Sequence, residues 1–181
     1  MNWHQAFELA IRIVPAGSFV LTACGLMLTG VGLIRQAKVA QNTFMLNFYD
    51  HVQKFNKIDL YLKHGWPNGQ IGPTSPDEWM ELRRYMGLFE GLWRMIQDGA
   101  YPIDRADGDY SHRILALVMN EEVIKECIKK EPFAWRDFIG LWRELETLDV
   151  YKGLAKGYES EGLVVPRPPG IYEIAAKAKQ A

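Results

Sequence analysis

Ile13–Ile34 reads IVPAGSFVLTACGLMLTGVGLI, 22 residues without a charge, closed by Arg12 on one side and Arg35 on the other. A helix rises 1.5 Å per residue, so a run of this length reaches roughly 33 Å, against a bilayer core of about 30 Å. The run predicts a single-pass membrane anchor over residues 1–34. Trp3 and Phe7 suit the headgroup level on its N-terminal side. A cleaved secretory signal fits less well, because its apolar region is usually about 7–15 residues. A third reading takes Leu21-Thr22-Ala23-Cys24 as a lipobox, which would lipidate Cys24. The residues that follow, Leu26 to Ile34, stay apolar where a lipoprotein turns polar, so Cys24 reads better as a small residue inside a membrane helix.

The basic residues Arg35, Lys38, Lys54 and Lys57 follow the run, and only Arg12 precedes it. The positive-inside rule then places the rest of the chain on the cytoplasmic side of the inner (plasma) membrane. Within the anchor, Ser18, Thr22, Gly25, Thr29 and Gly32 recur at heptad spacing. Small residues let membrane helices approach closely, so this stripe is the expected seam of a homo-oligomer.

Working outward, residues 35–64 contain neither proline nor glycine. Phe44, Phe48, Val52, Phe55, Ile58 and Leu62 fall on one helical face. With no breaker at the junction, one continuous helix from about residue 6 to 64 is expected, and its polar stretch Gln36–Thr43 forms a stalk. Residues 65–76 hold three glycines and three prolines and read as a loop. Ser75, Pro76 and Glu78 form a helix start with a capping box. The helix that follows places Trp79, Leu82, Met86, Phe89, Trp93 and Ile96 on one face and stops at Gly99. A turn-rich segment is expected over 100–109. Helices follow near 110–119, near 121–130 behind Asn120, and from about 132 to 150.

No stretch alternates as a strand does, so the fold class is all-α. The anchor is a single transmembrane helix running into a long stalk helix, which packs in a small helical bundle. The domain limits are 1–34 for the anchor, 35–150 for the helical domain and 151–181 for a flexible tail. Gly153, Gly157 and Gly162 read as helix breakers there, and Val164–Gly170 reads as an extended, polyproline-prone stretch.

Phe89-Glu90-Gly91-Leu92-Trp93-Arg94 recurs as Phe138-Ile139-Gly140-Leu141-Trp142-Arg143, identical at five of six positions. Mid-helix glycine costs up to about 1 kcal/mol against alanine. Its use twice beside tryptophan predicts close helix crossings, with Phe89, Gly91, Trp93, Phe138, Gly140 and Trp142 as crossing or interface residues.

Chemistry is harder to find. The histidines His4, His51, His64 and His112 show no metal-ligand spacing, and no Walker loop, CxxC or GxSxG occurs. Net charge is -1, which gives no general drive toward nucleic acid. The two cysteines, Cys24 and Cys127, suit a reducing compartment. No cofactor, metal or catalytic residue is assigned. Asp104, Asp107, Asp109 and His112 with Gly108 read as a polar turn, in which Asp107-Gly108 reverses the chain and Asp109 caps a helix. His51 reads as a half-buried packing residue, and Glu90 with Arg94 as a helix-face pair.

The arrangement resembles small bacterial membrane-anchored proteins that carry a helical domain of unknown function. The residues behind the resemblance are Arg35-Gln36-Ala37-Lys38, Leu46–Asp50, Leu82-Arg83-Arg84-Tyr85, Phe89-Glu90, Trp93, Ile96 and Gly99, within about residues 15–148. It implies a single-pass anchor and a cytoplasmic helical domain, and it carries over no catalytic residue. The function expected is a membrane-tethered interaction or regulatory module, non-enzymatic and self-associating, whose partners are the bilayer, a second copy and a cytoplasmic protein. Two other classes stay open. One is a toxin- or defence-type membrane effector that oligomerises through its transmembrane helix. The other is a hydrolase using the Asp104–His112 loop.

Overall fold

The structure is a computed structural model that describes residues 3–170, with side chains from Met27 onward except that of Asn68. The described residues form helices and no strand. The elements are α1 (Trp3–Gln53), α2 (Asn56–His64), a short 3-10 turn (Pro67–Gly69), α3 (Pro76–Gln97), α4 (Ile103–Met119), α5 (Glu121–Val123), α6 (Arg136–Leu145) and α7 (Asp149–Ser160). A π-helical stretch, Ile124–Lys129, continues α5. The chain divides into two units at Leu46 and Asn47.

The first unit is helix. Among the described residues no helix is long and apolar enough to cross a membrane. The expected anchor, Ile13–Ile34, lies outside the described side chains as far as Leu26.

The second unit is a helical bundle. Leu82, Tyr85, Met86, Phe89 and Leu92 of α3 are fully buried, as are Ile114, Leu115 and Leu117 of α4 and Phe138, Ile139 and Leu141 of α6. Each such side chain contributes about 1.5–3 kcal/mol on burial, which is what holds helices too short to be stable alone. α3 packs on α6, and α4 packs on α7. α3 begins as its sequence dictates. The Glu78 amide donates to Ser75 Oγ at 3.2 Å, and the Ser75 amide donates to Glu78 Oε2 at 3.2 Å. The Thr74 amide, which donates to Glu78 Oε2 at 2.8 Å, and then the Ser75 amide hold the Glu78 carboxyl below its usual range. Gly99, at φ 71, closes the helix in the left-handed region that glycine tolerates.

Four local expectations are corrected. The continuous helix to residue 64 is broken at Lys54–Phe55, where α1 ends and α2 begins. The turn expected over 100–109 is helical from Ile103, because Ala106, Asp107 and Tyr110 on its inner face are buried. The last long helix divides into α6 and α7 at residues 146–148. Gly153 and Gly157 do not break α7, so the segment assigned to a tail is helical as far as Ser160. Packing against α4 outweighs the glycine penalty of about 1 kcal/mol each.

Candidate functional site

The repeated motifs come together. Phe89–Arg94 lies on α3 and Phe138–Arg143 on α6, and these two helices pack on each other. Phe89, Phe138 and Trp142 are buried, whereas Trp93 is half-buried. The pairing is not symmetric. A Cβ on Gly140 would stand 2.7 Å from Trp93 Nε1 and 2.9 Å from Cε2, while one on Gly91 would meet nothing within 4 Å. Gly140 therefore admits an indole rather than a neighbouring backbone, and the crossing role expected of Gly91 is corrected. Trp142 turns away from this seam and donates from Nε1 to Tyr151 Oη at 2.8 Å.

Arg94 does not close on Glu90. Its Nε meets Asp137 Oδ2 across the helix pair at 2.7 Å. Glu90 is half-buried, and burial, reinforced by the charge of Asp137, pushes its carboxyl above the usual range.

Asp107 is a buried carboxylate with three donors. It accepts from Ser111 Oγ and from the amides of Val150 and Tyr151 at 2.9 Å each. These are first-turn amides of α7, which have no partner inside their own helix. Asp107 on α4 thus caps α7 from a neighbouring helix, and its negative charge meets the positive end of the α7 dipole. The polar turn expected at Asp107-Gly108 is corrected accordingly. At about 100° per residue, Asp107 and Asp109 lie on opposite sides of α4. Asp104 and Asp109 are exposed, and Asp109 receives Tyr101 Oη at 2.9 Å. His112 is half-buried, and burial with the nearby Lys63 and Arg113 charges pushes its pKa down. His51 is exposed rather than half-buried, with Nδ1 2.8 Å from the Asn47 carbonyl.

A second polar centre escaped the sequence reading. Asp59 of α2 and Arg113 of α4 are both buried and 3.6 Å apart. Tyr85 of α3 donates to Asp59 Oδ1 at 3.4 Å and accepts from Arg113 Nη1 at 3.2 Å. Arg113 Nη2 donates to Asn56 Oδ1 at 3.0 Å, and Lys63 Nζ to Asp59 Oδ2 at 2.7 Å. Burial pushes the Tyr85 phenol upward. The signal was present in the sequence: Arg113 follows Tyr110 by three and precedes Leu117 by four, inside the apolar stripe of α4.

Cys127 is buried, and desolvation pushes its thiol up to about 11, so it is an unreactive core side chain. Among the described residues no group of three or more His, Cys, Asp or Glu is arranged to hold a metal ion. Of the small-residue stripe, Ser18, Thr22 and Gly25 lie outside the described side chains. Thr29 is exposed, and a Cβ on Gly32 would meet nothing within 4 Å. No protein-family model matches the chain, and no curated protein or solved structure matches it either.

Proposed function

We propose that this protein is a membrane-tethered helical interaction or regulatory module, non-enzymatic and self-associating, whose bundle works on the cytoplasmic side of the inner membrane. One observation carries the reading. Met27, Leu28, Val31, Leu33 and Ile34 are 74%, 75%, 50%, 61% and 70% exposed on successive turns of α1. At about 100° per residue Met27, Leu28, Val31 and Ile34 share one face and Leu33 lies apart from them, and the intervening Thr29, Gly30 and Gly32 leave no charge on any side. A helical stretch with exposed apolar side chains and no charge on any side suits an apolar solvent, since leaving it in water forgoes about 25 cal/mol per Å². The same residues close the uncharged run Ile13–Ile34, which has the length of a span. The unobstructed position of Gly32 leaves room for a second helix on the small-residue side.

Fractionation of cells expressing the full chain tests the tether. The protein is expected in the membrane pellet after a carbonate wash, and recovery in the supernatant would sink the reading. Protease treatment of spheroplasts tests topology: a C-terminal tag should survive until lysis.

A further inference from the structure

The joint between α1 and α2 contains no helix breaker, and locally it is spanned by a side-chain bond from Asn56 Nδ2 to Gln53 Oε1. His51-Val52-Gln53-Lys54-Phe55-Asn56-Lys57 contains neither glycine nor proline. Its backbone is held by short-range bonds, Lys54 N to the His51 carbonyl at 3.2 Å and Phe55 N to the Val52 carbonyl at 3.0 Å. Phe55 sits at φ -101 and ψ 17, between two helices. Helices bend sharply at proline, glycine–serine pairs or π-bulges, and none of these occurs here. Local preference therefore favours one helix running through the joint.

What holds the break is tertiary. Phe55 stacks on Tyr85 with ring centroids 5.6 Å apart and planes 27° apart. Ile58 is buried. Asp59 reaches Arg113 and Tyr85, and Asn56 accepts from Arg113. These contacts all lie between residues 55–59 and the α3–α4 pair. Local and tertiary preferences oppose each other within five residues, the condition for a two-state element.

We propose that α2 is a detachable latch. When it is docked, Asp59 and Asn56 cover Arg113 and the helix is broken at Lys54–Phe55. When it is released, residues 47–64 fuse into one helix and the Tyr85–Arg113 face of α3 and α4 is uncovered. Release leaves the Asp59 and Arg113 charges to water, where each is well solvated, so undocking strands no buried ion. The proposal does not depend on the membrane reading.

Nitroxide labels at Leu60→Cys and Gly108→Cys, in the full chain carrying Cys24→Ala, report the latch by pulsed electron–electron resonance. Both positions are exposed. Two distances are expected, the shorter one dominant. Asn56→Ala removes the Arg113 acceptor and favours helix, so it should raise the longer population about three- to tenfold. Lys54→Gly disfavours the fused helix and should lower that population about fivefold. A single distance, the same in all three proteins, would overturn the latch. So would a longer distance that grows in step with loss of helical circular dichroism, because that reports unfolding rather than release.

Discussion

The indole of Trp93 lies over Gly140, so that a methyl group at position 140 would stand 2.7 Å from Nε1. Indole and backbone are both rigid, and α3 is fixed against α6 beside the contact by the Arg94–Asp137 pair. Gly140→Ala should therefore destabilise the bundle by about 1–3 kcal/mol, the usual cost of forcing volume into a packed seam. Gly91→Ala fills open space and should stabilise α3 by about 0.5–1 kcal/mol. Urea unfolding of the two variants should move their midpoints in opposite directions. A matched response would mean that the two motifs are equivalent after all.

Asp107 sets where α7 begins. Asp107→Ala strands the Val150 and Tyr151 amides, and should cost about 2–4 kcal/mol as a lost cap together with a buried unsatisfied donor. Amide exchange resolved by residue should show Val150 and Tyr151 losing protection first. Unchanged protection at those two amides would refute the capping role.

The Asp59–Arg113 pair should be worth less than the damage its halves cause. Arg113→Met leaves Asp59 with only Lys63 as a cation, 2.7 Å away, and should cost on the order of 2 kcal/mol, less than the ~3–5 kcal/mol of a fully stranded buried charge. Pairing it with Asp59→Leu should recover most of that loss, since the buried charge is then gone. A double variant as unstable as Arg113→Met alone would assign the loss to packing instead.

Glu90 predicts a pH dependence. Its carboxyl is raised in the folded state by burial and by Asp137, so the folded protein holds that proton more tightly than the unfolded chain does. Stability from this group is complete below the ordinary carboxylate range and is lost as pH rises through the raised value. Glu90→Gln should raise the melting temperature by about 1–3 °C at pH 7. The advantage over wild type should vanish near pH 4. A constant advantage across that window would show that charge is not the cause.

The helical class was legible in the sequence, and so was the α3 start, because apolar spacing and the Ser75–Glu78 box act within one or two turns. The meeting of the repeated motifs was half legible. Both carry glycine and tryptophan, yet only Gly140 receives an indole, and that depends on which way each tryptophan faces. The extent of α7 was hidden, since Gly153 and Gly157 argue locally against helix while packing on α4 argues for it.

Sequence alone determined the uncharged run Ile13–Ile34, the all-helical class and the capped start of α3, since each rests on composition, periodicity or neighbours a few residues apart. Tertiary structure decided the break at Lys54–Phe55, the burial of Asp59 with Arg113 and the placing of Asp107 on α7. Those features join residues 26 to 57 positions apart in the chain, as Asp59 with Tyr85 and Asn56 with Arg113 show. A carboxylate in a sequence reads as solvent-facing until the fold supplies the guanidinium or the helix end that stabilises it in the core.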